Sequence, residues 1–214
     1  MAGHSTSSIV PTPEEVPLIV PDVMNSRYSY GGSKIISELL AINYGRKDFN
    51  RVMIFRPHNV YGPDMGWEHV LPQFILRAIR KIKQHPTGKV PFDILGDGNQ
   101  TRAFIHIDDF IDGLMIMLDK GKHLGIYNIG NMEEIAIKDI ALKVVEYFGR
   151  EAEILIGDLA PGETVRRCPD IKKIEELGFL PKINFDKGLP SVANWYEKNS
   201  DNRLFESNPL LIKR

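Results

Sequence analysis

The hydrophobic and polar positions along the chain switch between two periods, and the switches mark its elements. From Ser33 onward Ile35, Ile36, Leu39, Leu40 and Ile42, with Asn43, recur at three- and four-residue spacing, which predicts a helix with one core-facing stripe. Arg51–Phe55 reads RVMIF, a short β-rich run stopped by Pro57, the pattern of a buried parallel strand. A helical period returns over His69–Lys83, with Pro72 confined to the first turn. Pro91–Leu95 predicts a strand before the Gly96-Asp97-Gly98 turn. Thr101–Ile107 alternates as a strand, and Asp108 is placed to cap a helix reaching Lys120. The alternation then repeats: a strand at Gly125–Ile129, a helix at Ile137–Phe148 closed by Gly149, and a strand at Glu153–Ile156. A short helix at Asp170–Leu177 and a last one at Lys187–Asn199 follow.

Strands alternating with helices predict an α/β fold, a mainly parallel sheet with helices on its faces. Residues 1–27 carry Pro11, Pro13, Pro17 and Pro21 and read as an extended loop. Its first eight residues have the small, polar make-up of a vector-derived scar, and residues 200–214 read as a polar tail. With 214 residues the chain is long enough for a single core. Its 27 basic and 28 acidic side chains argue against a dedicated nucleic-acid binder, which carries a basic excess. No apolar run is long enough to span a bilayer and Met1–Ser8 has no leader pattern, so no membrane partner and a cytoplasmic location are expected. The single cysteine, Cys168, builds neither an internal disulfide nor a zinc site, and no histidine pair has metal-ligand spacing.

The first chemistry lies in Tyr30-Gly-Gly-Ser-Lys34. A helix beginning near Tyr30 puts it and Lys34 on one face, Cβ atoms roughly 5–6 Å apart. An ammonium beside a phenol favours the phenolate, which gives a general base and a cation able to hold a ribose hydroxyl. Taken alone, that spacing far more often marks a packed tyrosine with a solvated lysine.

The surrounding motifs change the reading. Arg27-Tyr-Ser-Tyr-Gly-Gly-Ser-Lys34 is followed by Phe55-Arg-Pro-His-Asn-Val-Tyr-Gly-Pro63, then Gly96-Asp-Gly-Asn-Gln-Thr-Arg102 through Asp109. Gly125-Ile-Tyr-Asn-Ile-Gly130, Arg166-Arg-Cys-Pro-Asp170 and Leu177-Gly-Phe-Leu-Pro181 complete the series. In this order they resemble the extended short-chain dehydrogenase/reductase family, the NAD-dependent epimerases and dehydratases of nucleotide sugars. The resemblance runs from about Thr6 to Asn199. It implies a truncated Rossmann-like parallel sheet, at 28–63 and 101–135, with a small interleaved substrate-binding lobe at 64–100 and 136–199. It also implies NAD as cofactor and a nucleotide-diphosphate sugar as substrate.

Residue by residue, the resemblance makes Tyr30 the catalytic tyrosine and Lys34 the lysine that holds the nicotinamide ribose. Thr6 matches the hydroxyl that bonds the reacting sugar hydroxyl, and Pro57 lies on the cofactor side. Asn59 and His69 match substrate contacts. Arg102 matches an arginine that clamps the diphosphate, with Arg166 or Arg167 as a second phosphate contact, a role suited to the planar guanidinium fork. Arg102 is equally readable as a surface ion pair, and Arg166 and Arg167 more readily so. His58 is a further candidate contact, whereas Asp108-Asp109 reads as the acidic first turn of a helix and Cys168 as incidental.

The chain also departs from the family pattern. It contains no Gly-x-Gly-x-x-Gly or Gly-x-x-Gly-x-x-Gly turn to hold a pyrophosphate at a helix N-terminus. In effect it begins at the family's catalytic Ser/Thr strand, so roughly the first third of a full member is expected to be missing. Ser8 stands where the family's dehydratases place an acid/base carboxylate, which favours a 4-epimerase or decarboxylase-like activity through a keto-sugar. Two alternatives follow: an enzyme completed by a homo-oligomer or a complementing chain, or a catalytically silent protein that binds a nucleotide sugar or a partner.

Overall fold

The structure, a computed structural model, describes residues 9–158 and 165–200. Thr6, the expected scar at Met1–Ser8 and the tail from residue 201 lie outside the described residues. A 3-10 turn at Ser26–Tyr28 leads into α1 (Ser29–Asp48). Then come β1 (Met53–Pro57), β2 (Val60–Tyr61), α2 (Val70–Gln84), β3 (Val90–Ile94), β4 (Thr101–Ala103), β5 (Ile105–His106) and α3 (Ile107–Lys120). The second half runs β6 (Gly125–Ile129), β7 (Glu134–Ala136), α4 (Ile137–Tyr147), β8 (Ala152–Ile156), β9 (Arg166–Arg167), α5 (Lys172–Glu175) and α6 (Phe185–Asn199).

The α/β alternation holds, and β1–β6, β2–β5, β3–β8 and β4–β9 are parallel pairs. The strands make four small sheets among the described residues, and β4–β7 is antiparallel. Thr101–Ile107, expected as one strand, breaks at Phe104. Its first part joins β7 and β9 and its second joins β2, while the Phe104 ring turns into the core against Tyr61 and Phe185, 6.0 and 5.7 Å between centroids. β2, β7 and β9 are too short for any period to show in sequence.

Two cores hold these layers. Leu71, Ile75, Phe92, Ile140, Val144 and Tyr196 pack α2, α4 and α6 around β3. Ile105, Met117, Ile129, Ile171 and Ile174 fill the space between α3, β6 and α5. Each such side chain contributes about 1.5–3 kcal/mol of burial, so these clusters fix the frame. Helix α3 starts two residues earlier than expected. His106 is its cap, accepting the Asp108 N–H at 3.3 Å, and the acidic pair fills the first turn. Asp109 is buried there and accepts the Lys182 and Ile183 N–H groups, 2.9 and 2.8 Å.

Helix α1 departs from expectation. Its apolar stripe does not face a core: Gly31 and Gly45 are its buried residues, while Ile36, Leu39 and Leu40 are 50–59 % exposed. Apolar positions are spread around its circumference, and it meets the body through small residues. A Cβ on Gly45 would press on Val52 and Leu124, and one on Gly32 would touch Val20.

Candidate active site

Tyr30 and Lys34 occupy the first turns of α1. The hydroxyls of Ser33 and Ser37 bond back to the carbonyls of Tyr30 and Ser33, at 2.7 and 2.8 Å, which spends their polarity inside the helix. The Lys34 ammonium lies over the Tyr30 ring, 5.2 Å from its centroid, a cation–π geometry. Tyr30 is 62 % exposed, so this pair faces open solvent.

One turn further on, Glu38 meets Arg56 of β1. The guanidinium donates to both carboxylate oxygens, Nε to Oε2 at 2.9 Å and Nη2 to Oε1 at 2.5 Å, and its Nη1 donates to the Glu14 carbonyl at 2.8 Å. Arg56 is buried, and a buried guanidinium is tolerated only with its donors engaged this fully. Behind it, fully buried Asn128 of β6 joins three segments. Its backbone N–H donates to Glu14 Oε1 at 2.7 Å, and its Nδ2 donates to the carbonyls of Thr12 and Asp170 at 3.1 and 3.0 Å. Its Oδ1 is 3.1 Å from His58 Nε2. An amide that donates to two carbonyls must aim its oxygen at His58, so His58 carries its proton on Nε2. Burial pushes the Glu14 carboxyl above its usual pKa, partly offset by the Asn128 N–H.

Strand register sorts the three arginines. Arg102 lies opposite Arg167 and Thr101 opposite Arg166 in the parallel β4–β9 pair. Arg102 and Arg167 therefore share one face, on strands about 4.8 Å apart. Arg166 faces the other way, where its Nε and Nη2 bond Glu134 at 2.5–2.9 Å and Thr101 Oγ1 donates to the same carboxylate at 2.6 Å. These donors, Arg166 first, hold the Glu134 carboxyl below its usual pKa. Half-buried Arg102 also donates to the Thr101 carbonyl at 2.7 Å.

Asn59 adopts φ 42°, a left-handed conformation that asparagine tolerates better than most residues. Its Nδ2 donates to the Ala103 carbonyl at 2.8 Å, which ties it to the strand carrying Arg102. Pro57 is exposed at the end of β1. His69 is exposed at the N-cap of α2, its backbone N–H bonded to the Gly66 carbonyl at 3.1 Å. His58 is buried on Asn128 and is a structural group. Cys168 is buried and its thiol is pushed up to about 12, first by desolvation and then by the Glu134 charge. A cavity of about 520 Å³, whose lining includes neither Tyr30 nor Lys34, lies between Phe104, Ile135, Leu142 and Phe185, with Glu133 and Asp139 also lining it.

The structure thus brings Tyr30 to Lys34, Arg102 to Arg167, and Asn59 to the strand of Arg102, and turns Arg166 aside. Sequence reasoning missed Glu38, Arg56 and Asn128 as organisers. One signal was present: Arg56 is a charge directly following an apolar strand run, where a partner is obligatory.

Comparison with known proteins places this geometry. Residues 3–130 match the NAD dependent epimerase/dehydratase family. The chain is 31 % identical over 174 residues to the Arabidopsis thaliana trifunctional UDP-glucose 4,6-dehydratase/UDP-4-keto-6-deoxy-D-glucose 3,5-epimerase/UDP-4-keto-L-rhamnose-reductase RHM2, covering 80 % of this chain and 25 % of that protein. It is 34 % identical over 170 residues to UDP-glucuronic acid decarboxylase 2 of the same plant, covering 78 % and 36 %. Among solved structures, DesIV from Streptomyces venezuelae, a dTDP-glucose 4,6-dehydratase with NAD and TYD bound, superposes with TM-score 0.75 at 28 % identity, over 94 % of this chain and 59 % of that one. UDP-glucuronic acid 4-epimerase from Bacillus cereus, in complex with UDP-glucuronic acid and NAD, gives TM-score 0.67 at 27 % identity, over 79 % and 52 %. The chain spans a quarter to about three fifths of the length of these relatives, and shares their Rossmann-type α/β fold. By family match and fold together, the chain belongs to the NAD dependent epimerase/dehydratase family.

Proposed function

We propose that this chain forms the catalytic and sugar-nucleotide-holding portion of an enzyme that acts on a nucleotide-diphosphate sugar through a keto-sugar, of the 4-epimerase or decarboxylase type. The observation that carries the reading is the Lys34 ammonium over the Tyr30 ring at a solvent-open position. In this reading the Tyr30 phenolate takes the proton of the sugar hydroxyl and the Lys34 charge holds the phenolate form. Arg102 and Arg167, side by side, form a fork for the diphosphate, with Asn59 beside them. Relatives with UDP- and dTDP-sugar names or ligands support that substrate class.

For NAD the fit is partial. The exposed Tyr30–Lys34 pair, with Pro57 at the end of β1, suits the ribose end of a nicotinamide nucleotide, and NAD when bound supplies the capacity to accept and return a hydride. The chain has no Gly-x-Gly-x-x-Gly turn for the pyrophosphate, so residues 1–214 alone are expected to bind NAD weakly. Among the described residues β1 has one strand neighbour, β6, and Phe55 on a face of β1 is 42 % exposed, which suits a second copy or a complementing chain along the other edge of β1. One second reading, a nucleotide-sugar binder without turnover, follows if nothing supplies the pyrophosphate-holding glycine turn that residues 1–214 do not contain.

Titration calorimetry with UDP-glucose and UDP-glucuronic acid tests the proposal. A hydrogen bond to a charged group contributes about 1.5–3 kcal/mol, so R102A and R167A should each weaken binding roughly ten- to hundredfold, with R166A close to wild type. Absence of millimolar or better affinity for either ligand would overturn the reading. Binding without turnover, after a complementing NAD-binding half is added, would select the silent alternative. In a completed enzyme Y30F should cost at least about two decades in rate, the usual scale of a lost general base.

A further inference from the structure

We propose that Arg56 is a positioning residue for the Tyr30–Lys34 pair: by occupying both oxygens of Glu38, it stops that carboxylate from drawing Lys34 away from the tyrosine. The inference rests on reading Tyr30–Lys34 as the working pair. Lys34 and Glu38 are four residues apart on α1, the spacing at which opposite charges on a helix meet. Left alone, they would be expected to pair. Instead Glu38 is taken by the Arg56 fork, with side chains 3 % and 12 % exposed, and the third Arg56 donor is anchored on the Glu14 carbonyl. Among the described residues Lys34 makes no ion pair, and its ammonium rests over Tyr30. Arg56 is held by the β1–β6 register, opposite Asn128, so the hold on Glu38 comes from the sheet and not from the helix that carries the pair.

A clamp that only fastens α1 predicts that losing either partner harms the site. Loss of Glu38 would be the worse of the two, because it strands a buried guanidinium. The positioning role predicts an asymmetry. R56Q releases a carboxylate that can capture Lys34, whereas E38Q removes the competitor.

The readout is the wild-type chain and its variants after reductive methylation with ¹³C-formaldehyde, which leaves each lysine as a charged ¹³C-dimethyl amine visible by NMR. The Lys34 signal is assigned by its loss in K34R. It should lie upfield through the Tyr30 ring current, and Y30L should abolish that displacement. R56Q should abolish it too, while E38Q and the double variant E38Q/R56Q should keep it. Where R56Q does not fold, R56K holds one carboxylate oxygen in place of two. The displacement should then be diminished in R56K and restored in E38Q/R56K. No displacement in the wild type, its loss in E38Q, or an undiminished displacement in R56Q or R56K would each overturn the proposal. No nucleotide is present in this measurement, so its outcome is separate from the binding test of the proposed function.

Discussion

Replacing Asn128 by alanine should be among the most damaging single changes in the sheet that carries Arg56. The backbone bond to Glu14 survives, but the side chain's three links to His58, Thr12 and Asp170 are lost. The Thr12 carbonyl keeps a second donor, the Asp170 N–H at 2.9 Å, whereas two buried bonds go uncompensated by Asn128: the one to His58 Nε2 and the one to the Asp170 carbonyl. Each lost bond costs about 1–3 kcal/mol around the fully buried Asn128, which gives a total near 2–6 kcal/mol. A domain of this size has about 5–15 kcal/mol in all, so urea unfolding should show a clearly lowered midpoint. The exposed Asn50 changed to alanine is the control and should stay within about 0.5 kcal/mol. Hydrogen exchange adds a local readout. The amides of Thr12 and Asp170 bond across this junction, to Cys168 and Thr12, and should lose protection first. Because Asp170 closes the segment that begins with β9, sugar-nucleotide affinity through Arg167 should fall with it. A loss under about 1 kcal/mol with unchanged Thr12 and Asp170 exchange would refute the argument that Asn128 knits these segments.

Other outcomes follow from single sites. G188A should destabilise by about 1–3 kcal/mol or more, since the new methyl group meets the Tyr61 hydroxyl and, at 3.0 Å, the His106 ring; circular dichroism melting will show it. Glu14 has a folded pKa raised above the usual 4.5, so the native state keeps a proton that the unfolded chain releases, and stability falls as pH rises through that window. E14Q should therefore equal wild type below pH 4.5 and exceed it at neutral pH, an order that denaturant melts at several pH values can check. The Cys168 thiol, buried and pushed up to about 12, should react with iodoacetamide far more slowly in the native chain than in denaturant.

The sequence by itself determined the α/β alternation, the Gly125–Ile129 strand to the residue, and the Tyr30–Lys34 juxtaposition, because these depend on local period and helical spacing. The ordered motifs also carried the family, which the match over residues 3–130 bears out. Tertiary structure decided the rest. Which of Arg166 and Arg167 stands beside Arg102 turns on strand register, where a shift of one residue reverses the face, and two-residue strands leave no period to read. That Arg56 seeks Glu38 across 18 residues, or that Asn128 joins segments 116 and 42 residues away, is set by burial. A polar group removed from water must find a partner, and the fold, not the local sequence, brings that partner within reach.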